Sequence, residues 1–547
     1  MTDIIFRNAV VHTVDPDQPT ATAVAVSGGR IEAVGDDDAI TALAGPDTEV
    51  VDLGGRLLLP GFVDAHNHLR LGSDVASAQL AGAATLDEVY RRLTEWIAAN
   101  PDAEWIEGES LDYSAFPTGQ MPTAADLDAI TGDKPAFVLT YDVHTAWLNT
   151  AALRFLGITR DHTELPFGTA KVDPETGEPT GFLTNFAVKG LARDGQRAMA
   201  KFLPWASEDR RYGRLLSSLD MAIANGLTTV VEPQNSLDDI GLFTRARAEG
   251  RLKSRVIAGL FHPRGTPASD LADFAEAIQQ YSDDQFRLGP LKLYIDDVVE
   301  PHTAALLEPY TNEPGNRGAT YYEPTEFAEV LTGLDKAGFQ AFVHATGDRG
   351  IRTVLDGVEA ARTANGERDA RHQIVHVECL HPDDVARFGQ LGVVACMQPR
   401  HGAPDVAGPG KDWAEAIGPE RSEHAWAFRS LQQTGAVLAF SSDWTVAEMD
   451  PLSHLYTAVT RRGRGDTPAW VPEQGITLDE AVYAYTMGSA FANFCEDNRG
   501  SITPGKYADF AVVSDNIFAG PVDAIRDAHI DMTIIGGEVV FDRSSTA

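Results

Sequence analysis

Two histidines one residue apart, His66 and His68 in PGFVDAHNH, have the spacing needed to share an ion. On a strand, residues i and i+2 point to one face, so both imidazoles reach one site while Asn67 points away. Such pairs also occur on surfaces or as hydrogen-bonded core histidines. Four further residues of suitable chemistry end apolar, strand-like runs: Lys292 in GPLKLYID, His344 in FVHATGD, His376 in IVHVE and Asp443 in FSSDW. Each has a structural reading when taken alone. Lys292 suits an ion pair, His344 and His376 suit satisfied core histidines, and Asp443 suits the N-cap of a following helix. Six such residues in this order on one face are better explained as a metal centre that activates water.

The elements that must position them follow from the apolar pattern. LTTVVEP, SRVIAGLF, LKLYID, QAFVHA, QIVHV, VVACMQ and VLAFSSD alternate with helical stretches such as PTEFAEVLTGLDKAG and PDDVARFGQLG. This alternation predicts an α/β chain with a parallel sheet, and the number of units predicts a closed (β/α)8 TIM-like barrel. Lys292, His344, His376 and Asp443 then lie at the C-terminal ends of strands, the face on which barrels carry their chemistry. Residues 75–215 exceed one strand-to-helix connection and read as an insertion after the first barrel strand. Both chain ends read as short strands with Gly-Gly turns (ATAVAVSGGRIEAVG, MTIIGGEVVF). They predict one small β-sandwich domain from residues 1–59 and 495–547, flanking a barrel over 60–494.

Composition narrows the partners. The 547 residues carry a net charge of −36, which disfavours nucleic acid and anionic membranes. No run approaches the ~18 apolar residues of a membrane span, and the start, MTDIIFRNAVVHTV, lacks the pattern of a signal peptide. Three scattered cysteines exclude a disulfide framework or thiolate zinc site and fit a reducing cytoplasm.

The chain resembles the amidohydrolase superfamily, specifically the branch called amidohydrolase family 3, which includes N-substituted formamide deformylases. The resemblance runs over nearly the whole chain. It rests on PGFVDAHNH, KLYIDD with HTAALLEPY, VHATGDRG, VHVECLHPDDVARFGQLGV with CMQPRH, SSDW, DPLSHLYTAVTR, and AYTMGSAFANF with GSITPGKYADFAVV. It implies two divalent cations, with His66, His68 and Asp443 on the more buried one and His344 and His376 on the second. Lys292 would bridge both as a CO2-derived carbamate. Carbamylation suits the chemistry, because it turns an ammonium into an anionic oxygen donor. Zinc fits the imidazole-rich set, with manganese or iron as alternatives. The implied reaction is hydrolysis of a non-peptide, amide-type C–N bond of a small molecule, such as an N-substituted amide or formamide. Asp443 would take the water proton and pass it to the leaving nitrogen. A homodimer is also implied.

Other activities use the same centre: cyclic amide or imide hydrolysis, lactone hydrolysis and deamination. HATGDRG offers no glutamate beside the fifth-strand histidine, which counts against a mononuclear deaminase. A non-catalytic binding barrel would be expected to lose a ligand, and none is lost. Departures from the branch pattern at Val375, Asp297, Asn185 and Trp444 touch no expected ligand and bear on the substrate. FVLTYDVHTAWLNTAAL resembles a pocket-lining motif, so Asp142, His144 and Trp147 are expected substrate contacts. The ordinary reading of that motif is a strand-to-helix turn capped by Asp142. Arg400, followed by His401 in MQPRH, suits a substrate carboxylate or an ion pair. Trp444 with Trp147, Tyr113 and Phe116 is expected to form an aromatic wall for a planar or hydrophobic group, the ordinary reading of such residues being core packing.

Overall fold

The computed structural model describes residues 2–72, 76–116 and 121–545. The chain forms two compact units, Met1–Leu69 with Leu216–Ala547, and Arg70–Leu215. The expected insertion start at residue 75 lies outside the described residues.

The first unit holds eight parallel strands, each paired with the next in sequence. They are β1 (Phe62–Asp64), β2 (Leu227–Asn235), β3 (Arg255–Phe261), β4 (Phe286–Tyr294), β5 (Ala341–Ala345), β6 (Gln373–His376), β7 (Val394–Met397) and β8 (Leu438–Phe440). The two edges, β1 and β8, are joined just beyond the strands: Ala65 N donates to Phe440 O at 3.2 Å and Asp443 N to His66 O at 2.8 Å. The sheet is thus a nearly closed barrel. Helices such as Pro324–Lys336 after β4 and Asp348–Asn365 after β5 supply the crossovers. Inside, Ala65, Phe342, Val375, Cys396 and Ala439 pack as one cluster. A buried phenylalanine such as Phe342 contributes about 1.5–3 kcal/mol of transfer free energy.

Two sheets belong to the same unit, the first made from N-terminal strands and the second from both chain ends. One orders its strands Arg30–Gly35, Ala23–Ser27, Ile4–Arg7, Glu49–Asp52. The other runs Glu538–Asp542, Ile530–Ile535, Phe510–Val513, Leu57–Pro60, Val10–His12, Thr20–Ala21. Phe6 of the first meets Phe510 of the second edge-on at 5.8 Å, within a shared buried cluster. Leu57–Pro60 leads into β1 through the single residue Gly61. A Cβ on Gly61 would lie 2.2 Å from the Thr228 side chain, so only glycine lets β1 pack this close to β2.

The second unit is a seven-stranded sheet, ordered Glu164–Leu165, Gly168–Val172, Pro179–Thr184, Ala146–Leu148, Ala136–Thr140, Ile106–Leu111, Ala78–Gln79. Its helices include Leu86–Ala99, capped by Thr85, and Thr150–Phe155, capped by Asn149.

Candidate metal centre

The site is built at the C-terminal ends of the barrel strands. His66 and His68 come just after β1, Lys292 lies in β4, His344 in β5, His376 ends β6, and Asp443 follows β8. Strand alternation is not what aims the first pair, because β1 stops at Asp64. Instead the segment is fixed by its neighbours: Asn67 N donates to Val231 O at 2.9 Å and His68 N to Trp444 O at 2.6 Å. Beneath it, buried Asp64 accepts from Ser442 Oγ at 2.6 Å, Ser442 N at 3.0 Å and Asn67 Nδ2 at 3.0 Å. Burial raises the Asp64 carboxyl to about 6 against the pull of those bonds. Asp443 opens no helix; the next one, Pro451–Thr460, is capped by Asp450.

His66, His68 and Asp443 bring ligand atoms within 4.8 Å of one another, all buried. His66 Nε2 and His68 Nε2 lie 3.6 and 3.3 Å from Asp443 Oδ1. Both ring nitrogens of His66, Nζ of Lys292 and Oδ1 of Asp443 are buried without a hydrogen-bond partner. Orphaned polar atoms are costly, about 1–3 kcal/mol each, so a cluster of them in one dry place fits a bound cation. Burial, with Lys292 and the neighbouring histidines, holds His66 well below its usual range, so it is neutral and able to ligate. His68 differs: burial opposes its charge, but Asp443 and Glu232 outweigh this and raise it. Glu232 Oε1 stands 3.8 Å from His68 Nδ1.

Lys292 Nζ lies between aromatic faces, 4.7 Å from the Tyr294 centroid and 5.3 Å from that of Phe342. Burial lowers its ammonium to about 8, partly offset by Asp443, Cys396 and Glu232. The His344 and His376 rings are 4.5 Å apart. His344 Nε2 faces the Asp297 carbonyl at 3.1 Å, which leaves Nδ1 to ligate. His376 Nδ1 faces Gln398 Oε1 at 3.0 Å, which leaves Nε2. His376 and Asp443 have left-handed backbones, φ 80° and 56°. Such strain costs about 1–3 kcal/mol per residue and gathers at functional sites.

His376 also converges with Glu378 and His401, again with ligand atoms within 4.8 Å. Sequence reasoning paired His376 with His344 and overlooked Glu378; the signal was its position two residues past a candidate ligand histidine at a strand end. His401 follows β7, so the same strand-end rule points to it.

The expected substrate contacts fall differently. Arg400 is buried and committed to ion pairs, with Asp405 at 3.1 Å and Glu448 at 2.8 Å. Trp444 is half-buried beside the centre, its indole donating to Ser218 Oγ at 3.2 Å. Asp142, His144 and Trp147 belong to the second unit. Asp142 caps no helix: it sits in the turn between antiparallel strands and accepts from Tyr113 Oη and His144 N at 3.0 Å. Trp147 is fully buried, stacked on Phe182 and edge-on to Phe116, with Nε1 donating to Thr123 O at 3.1 Å. Its surroundings are those of a core residue.

Comparisons with known proteins identify the family. The amidohydrolase family model matches residues 49–541. Protein LONG AFTER FAR-RED 3 of Arabidopsis thaliana is 31% identical over 98% of this chain and 91% of its own length. The N-substituted formamide deformylase of Arthrobacter pascens is 28% identical over 100% of this chain and 99% of its own. A solved structure, an uncharacterized metal-dependent hydrolase from Pyrococcus horikoshii OT3, matches with a TM-score of 0.72 at 23% identity, covering 95% of this chain and 99% of that one. The chain belongs to the amidohydrolase family and is a hydrolase acting on carbon–nitrogen bonds.

Proposed function

We propose that this chain hydrolyses a small N-substituted amide or formamide, releasing a carboxylic acid and an amine. The observation that carries the reading is the buried trio His66, His68 and Asp443, with ligand atoms within 4.8 Å and unpartnered donors around it. Similarity to the formamide deformylase along its full length supports the substrate class.

His66, His68 and Asp443 would hold one divalent cation, and His344 and His376 a second, with carbamylated Lys292 between them. Zinc suits this set, manganese and iron less so. Bound cations supply Lewis acidity and a more acidic water. The remaining chemistry belongs to the chain. Asp443 takes the proton of the attacking water; the scissile C–N bond breaks as that proton reaches the nitrogen, and the amine leaves neutral. The burial of these residues strengthens each polar contact the substrate makes with them.

We also read the two end sheets as one small β-sandwich around a cytoplasmic, dimeric barrel enzyme. Among the described residues no helix is long and apolar enough to cross a membrane.

The test is metal analysis of the purified protein together with hydrolysis of a panel of N-acyl amines. A metal-replete protein that cleaves N-substituted amides bears the reading out. A protein that binds no divalent metal, or cleaves only esters and lactones, overturns it.

A further inference from the structure

Asp443 divides its two carboxylate oxygens between different neighbours. Oδ1 faces His66 and His68, whereas Oδ2 faces His376 Nδ1 and His401 Nε2, each at 3.8 Å. The oxygen turned away from the His66–His68 pair is the one placed to carry a proton to a leaving group. Of the two imidazoles beside it, His401 is the one that the proposed cations do not need.

The turn that carries His401 is pinned on both sides. Pro399–Gly402 forms a single 3-10 turn just after β7, closed by His401 N donating to Gln398 O at 3.1 Å. A Cβ at Gly402 would lie 2.8 Å from the Trp426 indole, so the backbone after His401 rests directly on that ring. Before it, the Arg400 guanidinium is tied to Asp405 and Glu448. The ring itself has a fixed side and an open side. Nδ1 stands 4.0 Å from Glu378 Oε1, and the other Glu378 oxygen accepts from Trp413 Nε1 at 2.8 Å. Nε2 is buried and makes no hydrogen bond. An imidazole with a carboxyl group 4.0 Å from one nitrogen, and with the other nitrogen buried and unpaired, is arranged to meet a ligand.

We propose that His401 is a further catalytic residue, whose Nε2 hydrogen-bonds the nitrogen side of the scissile amide next to Asp443 Oδ2, and that Glu378 is the positioning residue that fixes the ring. The proposal rests on the amide-hydrolase reading above. It has a chemical consequence. A basic alkylamine departs only when its nitrogen is correctly placed to receive a proton, so such substrates depend on His401. A nitroaniline leaves readily and does not.

The experiment uses the metal-replete enzyme and two panel amides with the same acyl group, one an N-benzyl amide and one a 4-nitroanilide. In His401→Ala, kcat on the benzyl amide falls about 100-fold or more and on the nitroanilide less than about 5-fold, the range of lost proton-transfer assistance. Metal content by elemental analysis stays at the wild-type level, and calorimetry shows weaker binding of benzylamine. Glu378→Gln moves both substrates the same way but less, and His401→Gln, which keeps a polar group within reach, recovers part of the loss. Equal losses on both amides, no loss on either, or loss of metal in His401→Ala and His401→Gln overturns the role of His401 alone. A wild-type enzyme that cleaves no member of the panel overturns the amide reading and this proposal with it.

Discussion

Gln398 presents its carbonyl oxygen to His376 Nδ1 at 3.0 Å, while its amide nitrogen donates to Ser441 Oγ at 2.8 Å. The second bond orients the first, so the hydrogen of His376 is held on Nδ1 and Nε2 is left available to ligate. Gln398→Leu removes that orientation without removing a ligand. Metal affinity is expected to drop about 10–100-fold, measured by competition with a chelator of known strength. Unchanged affinity would mean that packing alone aims His376.

Removing the cations should cost stability as well as activity. The unpartnered atoms of His66, Lys292 and Asp443 then stay buried with nothing to satisfy them. Chelation is expected to abolish hydrolysis and lower the melting temperature, and Zn2+ or Mn2+ should restore both. Ligand linkage predicts about 2.7 kcal/mol of recovered stability at a hundredfold excess over the dissociation constant. Full activity in rigorously metal-free protein would sink the metal reading.

Lys292 gives the cation-free protein a distinctive pH dependence. Its folded value of about 8 lies below the ordinary 10.5 because burial disfavours the ammonium. Between these values the unfolded chain binds a proton that the folded chain does not, so stability rises with pH across that window. At 1.36 kcal/mol per unit the rise amounts to about 3 kcal/mol. Urea midpoints of the metal-free protein should increase from about pH 8 to 10, and Lys292→Met should flatten the increase. Lys292→Ala should also lose metal and activity, with partial rescue by a short carboxylic acid.

Asp443→Asn separates coordination from proton transfer. The asparagine oxygen can still face the cation but takes up no proton, so kcat should fall about 10²–10⁴-fold at equal metal occupancy. Trp147→Ala should behave differently from a pocket substitution. Its indole is fully buried against Phe182 and Phe116, and removal of such a side chain costs about 3–5 kcal/mol. Denaturant unfolding, rather than KM, is where that change should register.

How much of this could be read in the sequence depended on whether the signal was local. The barrel strands were visible because parallel strands buried on both faces are short, unbroken apolar runs, and each proposed ligand stands at or just past one. His66 and His68 were found for a reason that does not hold in the fold: they lie beyond β1, aimed by hydrogen bonds to Val231 and Trp444, residues remote in sequence. The same remoteness hid the approach of Glu378 to His401, which arises only where β6 and β7 lie side by side. The full burial of Trp147 was not legible, because one aromatic residue in a motif reads alike in a pocket or a core. The alternative reading of Asp142 as a helix cap fails because the chain turns back antiparallel at Val143, φ 63°, which nothing nearby in sequence reveals.

The strand Leu57–Pro60 hydrogen-bonds along its length to Phe510–Val513 and runs through Gly61 into β1. The segment that sets His66 and His68 is therefore seated by a strand far later in the chain. Contacts between such distant parts of a chain form late and slowly. A chain cut before residue 510 should carry all the proposed barrel ligands yet hold the His66–His68 pair unseated, so tight metal capture would report that these two remote segments have paired.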